Sequence, residues 1–344
     1  VDILITDTPV AVDHQAVDHQ VAEVEITDNI VHHMVDVVHQ VVGDPGVVVK
    51  KIGKPKIKHY ICNKKVKDMI TVNHRLVKVG HFPDGTQCIV FPSDALWKEL
   101  DNPNEISWYY DSDEELFTLA CTVDWIHRTD VKKSRLILNL PYVPNARMDR
   151  IKDDIENFSL KVFANFINSM GFDEVNVYNV HSNVSEALIN SVHSSKPAAD
   201  IISAIDKYQP DVIFFPDEGA CKRYYDLGVI KNSGLPVTFG IKKRDWKTGK
   251  IQGLNVISDI DLTGKKVLII DDICSAGGTF KFSAIKLKEM GASDVALYVS
   301  HCEDNIQNGD LLKTDLVSKI YTTDSILHIT DPKIEIIHKM RITL

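Results

Sequence analysis

No stretch of the 344-residue chain reaches the roughly 18 consecutive apolar residues that a membrane-spanning helix needs. Its start lacks the succession of basic region, apolar run and small-residue cleavage site of a secretory signal, so a cytoplasmic location is expected. Cysteine is sparse. Six residues (Cys62, Cys88, Cys121, Cys221, Cys274, Cys302) lie scattered with no Cys-x-x-Cys pair, which argues against a disulfide framework or a zinc knuckle. Lys and Arg are missing from the first 49 residues, which hold nine of the 48 acids; the other 39 acids balance the 39 bases. Neither part offers the basic face of a nucleic-acid binder, and no nucleic-acid partner is expected.

What is present is apolar content of 44%, enough in a chain of this length for two buried cores. Residues 1–56 stand apart as an acidic extension. They carry the tandem Ala11–Gln15 and Ala16–Gln20, whose five-residue period matches neither strand nor helix. Val21–Ile26 alternates as a strand does, and Gly43–Gly46 is a turn at a plausible boundary. His14, His19, His32, His33 and His39 fit no closed metal-site spacing, and an oligomerisation or partner-binding segment is the better reading.

From residue 57 the pattern alternates. Arg135–Leu140, Val175–Val180, Asp211–Phe215, Pro236–Gly240, Lys266–Ile270 and Val295–Val299 read as strands. Phe158–Met170, Ala198–Tyr208 and Phe280–Met290 read as helices, the first and last stopped by Gly171 and Gly291. This predicts an α/β chain of two similar domains, 57–200 and 201–344, each a mainly parallel sheet flanked by helices.

The most informative run is Val267–Thr279. Four apolar residues make a buried strand, Asp271 and Asp272 follow at its carboxyl end, and Ser275-Ala276-Gly277-Gly278-Thr279 opens a helix. Ligands of open α/β sheets bind at that end, and glycine-rich amides at a helix N-terminus attract phosphate. Two carboxylates beside a phosphate loop suit the O2 and O3 hydroxyls of a ribose, directly or through a metal; the plain alternative is a helix cap. The run resembles the phosphoribosyl-pyrophosphate motif of type I phosphoribosyltransferases and of the synthetase related to them.

Further segments resemble the phosphoribosyl-pyrophosphate synthetase family and occur in its order. Pro141–Arg150 looks like the segment that holds ATP, and Phe82–Thr86 like the adenine loop. Asn179–Ser182 looks like the Asp-Leu-His-Ala segment at the metal and triphosphate, Phe215–Ala220 like Ser-Pro-Asp-x-Gly-Gly, and Ile241–Arg244 like the catalytic Lys-x-Arg loop. The likeness spans residues 57–344. It implies ATP contacts at Phe82, Asp84, Arg147, Asp149, Arg150 and His181, ribose-phosphate contacts at Asp217, Asp271, Asp272 and Ser275 to Thr279, and catalysis by Lys242 and Arg244. It also implies Mg²⁺ near His181 and Asp217, and a homo-oligomer (dimer or hexamer) with ATP sites built across subunits.

The residue chemistry agrees. Phe82 can stack on a purine, and Arg147 and Arg150 offer forked donors to phosphate. Lys242 and Arg244, two apart on an extended segment, can face one side and neutralise charge built up during diphosphoryl transfer. Asp245–Lys250 reads as a mobile lid. The expected reaction is attack of ribose O1 on the β-phosphorus of ATP, releasing AMP.

Departures from the family pattern are Asn179 for Asp, Thr86 for Glu, Met148 for Gln, and Ser275-Ala276 for Asp-Thr. The last removes a charge and a hydroxyl where the sugar's 5′ group should lie. Ribose 5-phosphate is the first-choice acceptor and a larger 5′-phosphoryl ribose such as ADP-ribose the second. An inactive synthetase-like regulatory subunit and a phosphoribosyltransferase are the rival readings.

Overall fold

The computed structural model describes residues 70–91, 103–244, 251–257 and 259–340. The expected N-terminal strand, turn and histidine group and the Asp245–Lys250 lid lie outside the described residues, which all belong to one compact unit.

The chain opens with β1 (Ile70–Val72), β2 (Arg75–Leu76) and a separate hairpin of β3 (Lys78–His81) and β4 (Gln87–Val90). Next come β5 (Asn104–Trp108), α1 (Glu115–Thr129), β6 (Leu136–Leu140), α2 (Ser159–Ser169), β7 (Glu174–Tyr178), α3 (Val184–Leu188) and β8 (Val192–Ser195). They form a sheet of order β2-β1-β5-β6-β7-β8, parallel from β5 onward and antiparallel at its β1–β2 edge.

A second set follows: α4 (Ala198–Tyr208), β9 (Val212–Phe215), α5 (Glu218–Tyr224), α6 (Gly228–Asn232), β10 (Val237–Arg244), β11 (Ile251–Ile257), β12 (Lys266–Cys274), α7 (Gly278–Glu289), β13 (Asp294–Cys302), β14 (Lys319–Thr323) and β15 (Ile334–His338). Its sheet runs β11-β10-β9-β12-β13-β14-β15, parallel except for β11. Mainly parallel sheets flanked by helices are the expected fold class.

Parallel strands covered on both faces read as continuous apolar runs, and β12 shows why. Val267 and Ile269 enter one core with Phe280, Ala284 and Leu287 of α7. Leu268 and Ile270 point the other way, into a core with Ile201, Ala204 and Tyr208 of α4 and with Tyr224 of α5. β12 outlasts its expected end at Ile270, because Ile273 and Cys274 pair with His301 and Cys302 of an equally long β13. β7 ends earlier than expected, at Tyr178 rather than Val180, so His181 sits farther along the loop beyond it.

Buried polar ties join the two sheets. Asn179, wholly buried, donates from Nδ2 to Tyr224 Oη at 2.8 Å and to Ser300 Oγ at 2.6 Å. The Tyr178 hydroxyl donates to Asp200 at the start of α4, and the same carboxylate meets His338 Nδ1 of β15 at 3.2 Å. His301 of β13 lies 3.1 Å from the Tyr178 carbonyl through Nε2. Among the described residues, no helix is long and apolar enough to cross a membrane.

Candidate active site

The carboxyl ends of β6, β7, β9 and β12 deliver most of the side chains singled out from the sequence, and that of β13 adds Glu303. After β6, buried Val143 and Ala146 pin the Pro141–Arg150 segment to the first core and leave its arginines outward. Arg147 Nη1 reaches Glu303, just past β13, at 2.7 Å; the Arg147 side chain keeps 46% exposure. Arg150 pairs with neighbouring Asp149 at 2.9 Å, and Asp149 also accepts from Ser182 Oγ at 2.8 Å. The Arg150 hydrogen bond is the largest reason the Asp149 carboxyl titrates below its usual range, ahead of an opposing burial effect. Asp149 thus links the arginine segment to the loop that carries His181.

His181 Nδ1 lies 2.7 Å from Asp272 Oδ2. The Asp272 carboxylate, 3% exposed, also receives Arg223 Nη1 of α5, while Arg223 Nη2 donates to the His181 carbonyl. Burial by itself would raise the Asp272 pKa. The His181 hydrogen bond and the charges of His181 and Arg223 outweigh it and hold the carboxyl well below the ordinary range. Asp271 is half-buried and accepts from the Asp272 amide at 2.9 Å. Asp217 caps α5, its side chain accepting from the Ala220 amide at 2.9 Å.

The Ser275–Thr279 turn precedes α7. Gly277 is its N-cap at φ +79°, and a Cβ there would sit 2.4 Å from Leu311 Cδ1. The segment after β13 packs against the turn: Asn305 Nδ2 donates to Ser275 Oγ at 2.8 Å, and a Cβ on Gly309 would fall 1.8 Å from the Ala276 carbonyl oxygen. Ala276 and Gly278 remain exposed, so the helix N-terminus opens outward.

Phe82 and Asp84 occupy the tip of the β3–β4 hairpin, away from the contacts described above. Thr86 donates from its amide (3.0 Å) and hydroxyl (2.7 Å) to Asp84, lowering the Asp84 pKa, and Phe82 is 54% exposed. The backbones of Lys242 and Arg244 lie on β10, whose pairing with β11 shifts register between Lys243 and Arg244; their side chains fall outside the described residues.

The structure therefore gathers Arg147, Asp149, His181, Asp271 and Asp272 around one interface. Arg223, Glu303, Asn305 and Gly309 join them without having been singled out. Glu303 had a usable signal, since in the sequence it follows the apolar run Val295–Val299 by a few residues, as Asp271 and Asp272 follow Lys266–Ile270. Among the described residues, no three His, Cys, Asp or Glu side chains form a ready metal cage.

A model of the phosphoribosyl transferase domain family matches residues 192–335. The ribose-phosphate pyrophosphokinase of Sulfolobus acidocaldarius is 27% identical over 262 residues, which span 73% of this chain and 86% of that protein. The enzyme of the same name from Hyphomonas neptunium is 26% identical over 222 residues, or 63% and 69% of the two chains. The crystal structure of phosphoribosylpyrophosphate synthetase from Mycobacterium smegmatis shares the fold with a TM-score of 0.62 at 20% identity, covering 77% of this chain and 86% of that one.

Proposed function

We propose that the chain, a divergent member of the phosphoribosyl-pyrophosphate synthetase (ribose-phosphate pyrophosphokinase) family, transfers the β,γ-diphosphate of ATP to the C1 hydroxyl of ribose 5-phosphate. The observation that carries this reading is the meeting of a nucleotide-type arginine segment with a sugar-type acidic turn. Arg147 touches Glu303 beside the turn, and His181 touches Asp272 on the strand that leads into it.

In this reading Arg147 and Arg150 bind the triphosphate, with the adenine stacked on Phe82 near Asp84. The amides of Ala276–Thr279 hold the 5′-phosphate, and Asp271 faces the ribose hydroxyls. The ribose O1 forms a bond to the β-phosphorus while the bond from that phosphorus to the α,β-bridging oxygen breaks. AMP departs with the bridging oxygen, and the hydroxyl proton goes to solvent. Lys242 and Arg244 neutralise charge on the migrating diphosphate, so the protein mainly positions and screens. Asp217 and His181 are the groups that would hold Mg²⁺, which supplies charge neutralisation on the triphosphate when bound. A cytoplasmic homo-oligomer is part of the same proposal.

A larger acceptor such as ADP-ribose is the second reading, favoured by the Ser275-Ala276 pair: it removes a charged group from the 5′ turn, and Asn305 engages the remaining hydroxyl. The test incubates the full chain with ATP, Mg²⁺ and either acceptor, then measures AMP and the product mass. AMP with ribose 5-phosphate, lost in Lys242→Ala, is the expected result. AMP only with ADP-ribose selects the second reading, and AMP from neither acceptor overturns both.

A further inference from the structure

Resting on that reading of the site, we propose that Asp272 and Arg223 are positioning residues that hold His181 in one tautomer, rather than Asp272 being a ligand of the sugar. Asp272 is almost fully buried and its carboxylate is committed to two protein cations or donors, His181 Nδ1 and Arg223 Nη1. An ionised carboxylate can only accept hydrogen bonds. The proton at this contact therefore belongs to His181 Nδ1, which leaves Nε2 as the working end of the ring. Among the described residues Nε2 has no hydrogen-bond partner, and the side chain is 35% exposed.

Arg223 completes the device from α5 in two ways. One arm of its guanidinium meets Asp272, offsetting a charge that would otherwise be costly to bury. The other donates to the His181 carbonyl, so both the ring and the backbone of His181 are fixed from the same fork. Asp149 steadies the loop from its far side through Ser182, directly after His181. A carboxylate or carbonyl behind a working imidazole is a recurrent way to set its tautomer and orientation, and loss of such a partner typically costs about 10–100-fold in activity or metal affinity.

The test compares two variants in one background. Arg223→Met removes the buried cation, so the second change at 272 leaves no unpaired charge to unfold the protein. With Arg223→Met, Asp272→Asn keeps an acceptor for Nδ1–H, whereas Asp272→Leu has the same shape and no acceptor. Circular dichroism and melting curves establish that both fold. Nitrogen-15 imidazole spectra of the full chain without ligands, with His181 assigned by His181→Gln, then report the tautomer at a pH where the ring is neutral. Nδ1–H is expected in the wild type and the Asn variant and is lost in the Leu variant. In AMP release, kcat is expected to fall about 10–100-fold more in the Leu than in the Asn variant, with an unchanged KM for ribose 5-phosphate.

An Nε2–H tautomer in the wild type overturns the proposal, as does the same tautomer in both variants. So does a raised sugar KM with kcat retained, the pattern of a direct sugar ligand. Should the wild type release no AMP, the diphosphoryl-transfer reading fails by itself, and the spectra still decide the role of Asp272.

Discussion

His301 makes acid stability a sharp test of how the two sheets are joined. The residue is 1% exposed, with Nδ1 at 2.8 Å from Ser325 Oγ and Nε2 at 3.1 Å from the Tyr178 carbonyl. A carbonyl only accepts, so Nε2 carries the proton and Nδ1 takes the serine hydroxyl, an arrangement that suits a neutral ring. The edge contact with the Tyr142 ring, centroids 5.2 Å apart, adds no room for water. Burial pushes the imidazole from 6.5 down to about 4, against the opposing charge of Asp272 and the backbone hydrogen bonds. For a base whose folded pKa lies below its unfolded value, protonation favours the unfolded chain. Above 6.5 the ring is neutral in both states and contributes nothing. Between 6.5 and about 4 only the unfolded chain takes up the proton, so stability falls as pH falls. At about 1.36 kcal/mol per pH unit the whole window is worth about 3 kcal/mol, and about 2 kcal/mol by about pH 5. Urea unfolding of the wild type and of His301→Gln, followed by tryptophan fluorescence between about pH 7.5 and about pH 5, measures it. The wild type should lose about 2 kcal/mol more than the variant over that range. Parallel pH profiles for the two proteins refute the account.

Three further perturbations have expected outcomes. Gly309→Ala places a methyl within 1.8 Å of the Ala276 carbonyl oxygen; the two backbones must separate, at about 1–3 kcal/mol in melting experiments, and the KM for ribose 5-phosphate should rise. Phe82→Ala removes an exposed ring from a hairpin tip, so the melting temperature should hold while ATP affinity by calorimetry drops about tenfold. An unchanged affinity excludes the stacking role. Glu115 accepts from the Trp108 indole at 2.6 Å and from the amides of Asp111 and Ser112 at 3.0 and 3.2 Å. Glu115→Ala orphans a buried indole N–H and two amides, and denaturant curves should show a loss of about 1–3 kcal/mol.

Much of this was legible one segment at a time. The Val267–Ile270 run states its burial through composition, and Ala198–Tyr208 has the periodicity that becomes α4. Pro141–Arg150 is recognisable through its resemblance to the family's ATP-holding segment, and the structure adds that its arginines face outward. What escaped was pairwise. The extension of β12 to Cys274 depends on β13 offering His301 and Cys302 in register. Glu303 acquires significance only because Arg147 arrives from the other sheet, and Arg223 only because His181 and Asp272 converge on it. Asp217 shows the reverse case. Its position after an apolar strand is compatible with a ligand and with a helix cap, and its side chain accepts from the Ala220 amide at the start of α5.

The Tyr178–Asp200–His338 contact gives the last strand of the second sheet a keystone's part. Asp200 is gripped from one side by the strand that leads into the His181 loop and from the other by the far edge of the chain's second half. Cutting the polypeptide just before β15 would thus do more than fray an outer strand. It would slacken the abutment under Tyr178, and the disturbance would travel three residues along the backbone to the imidazole of His181.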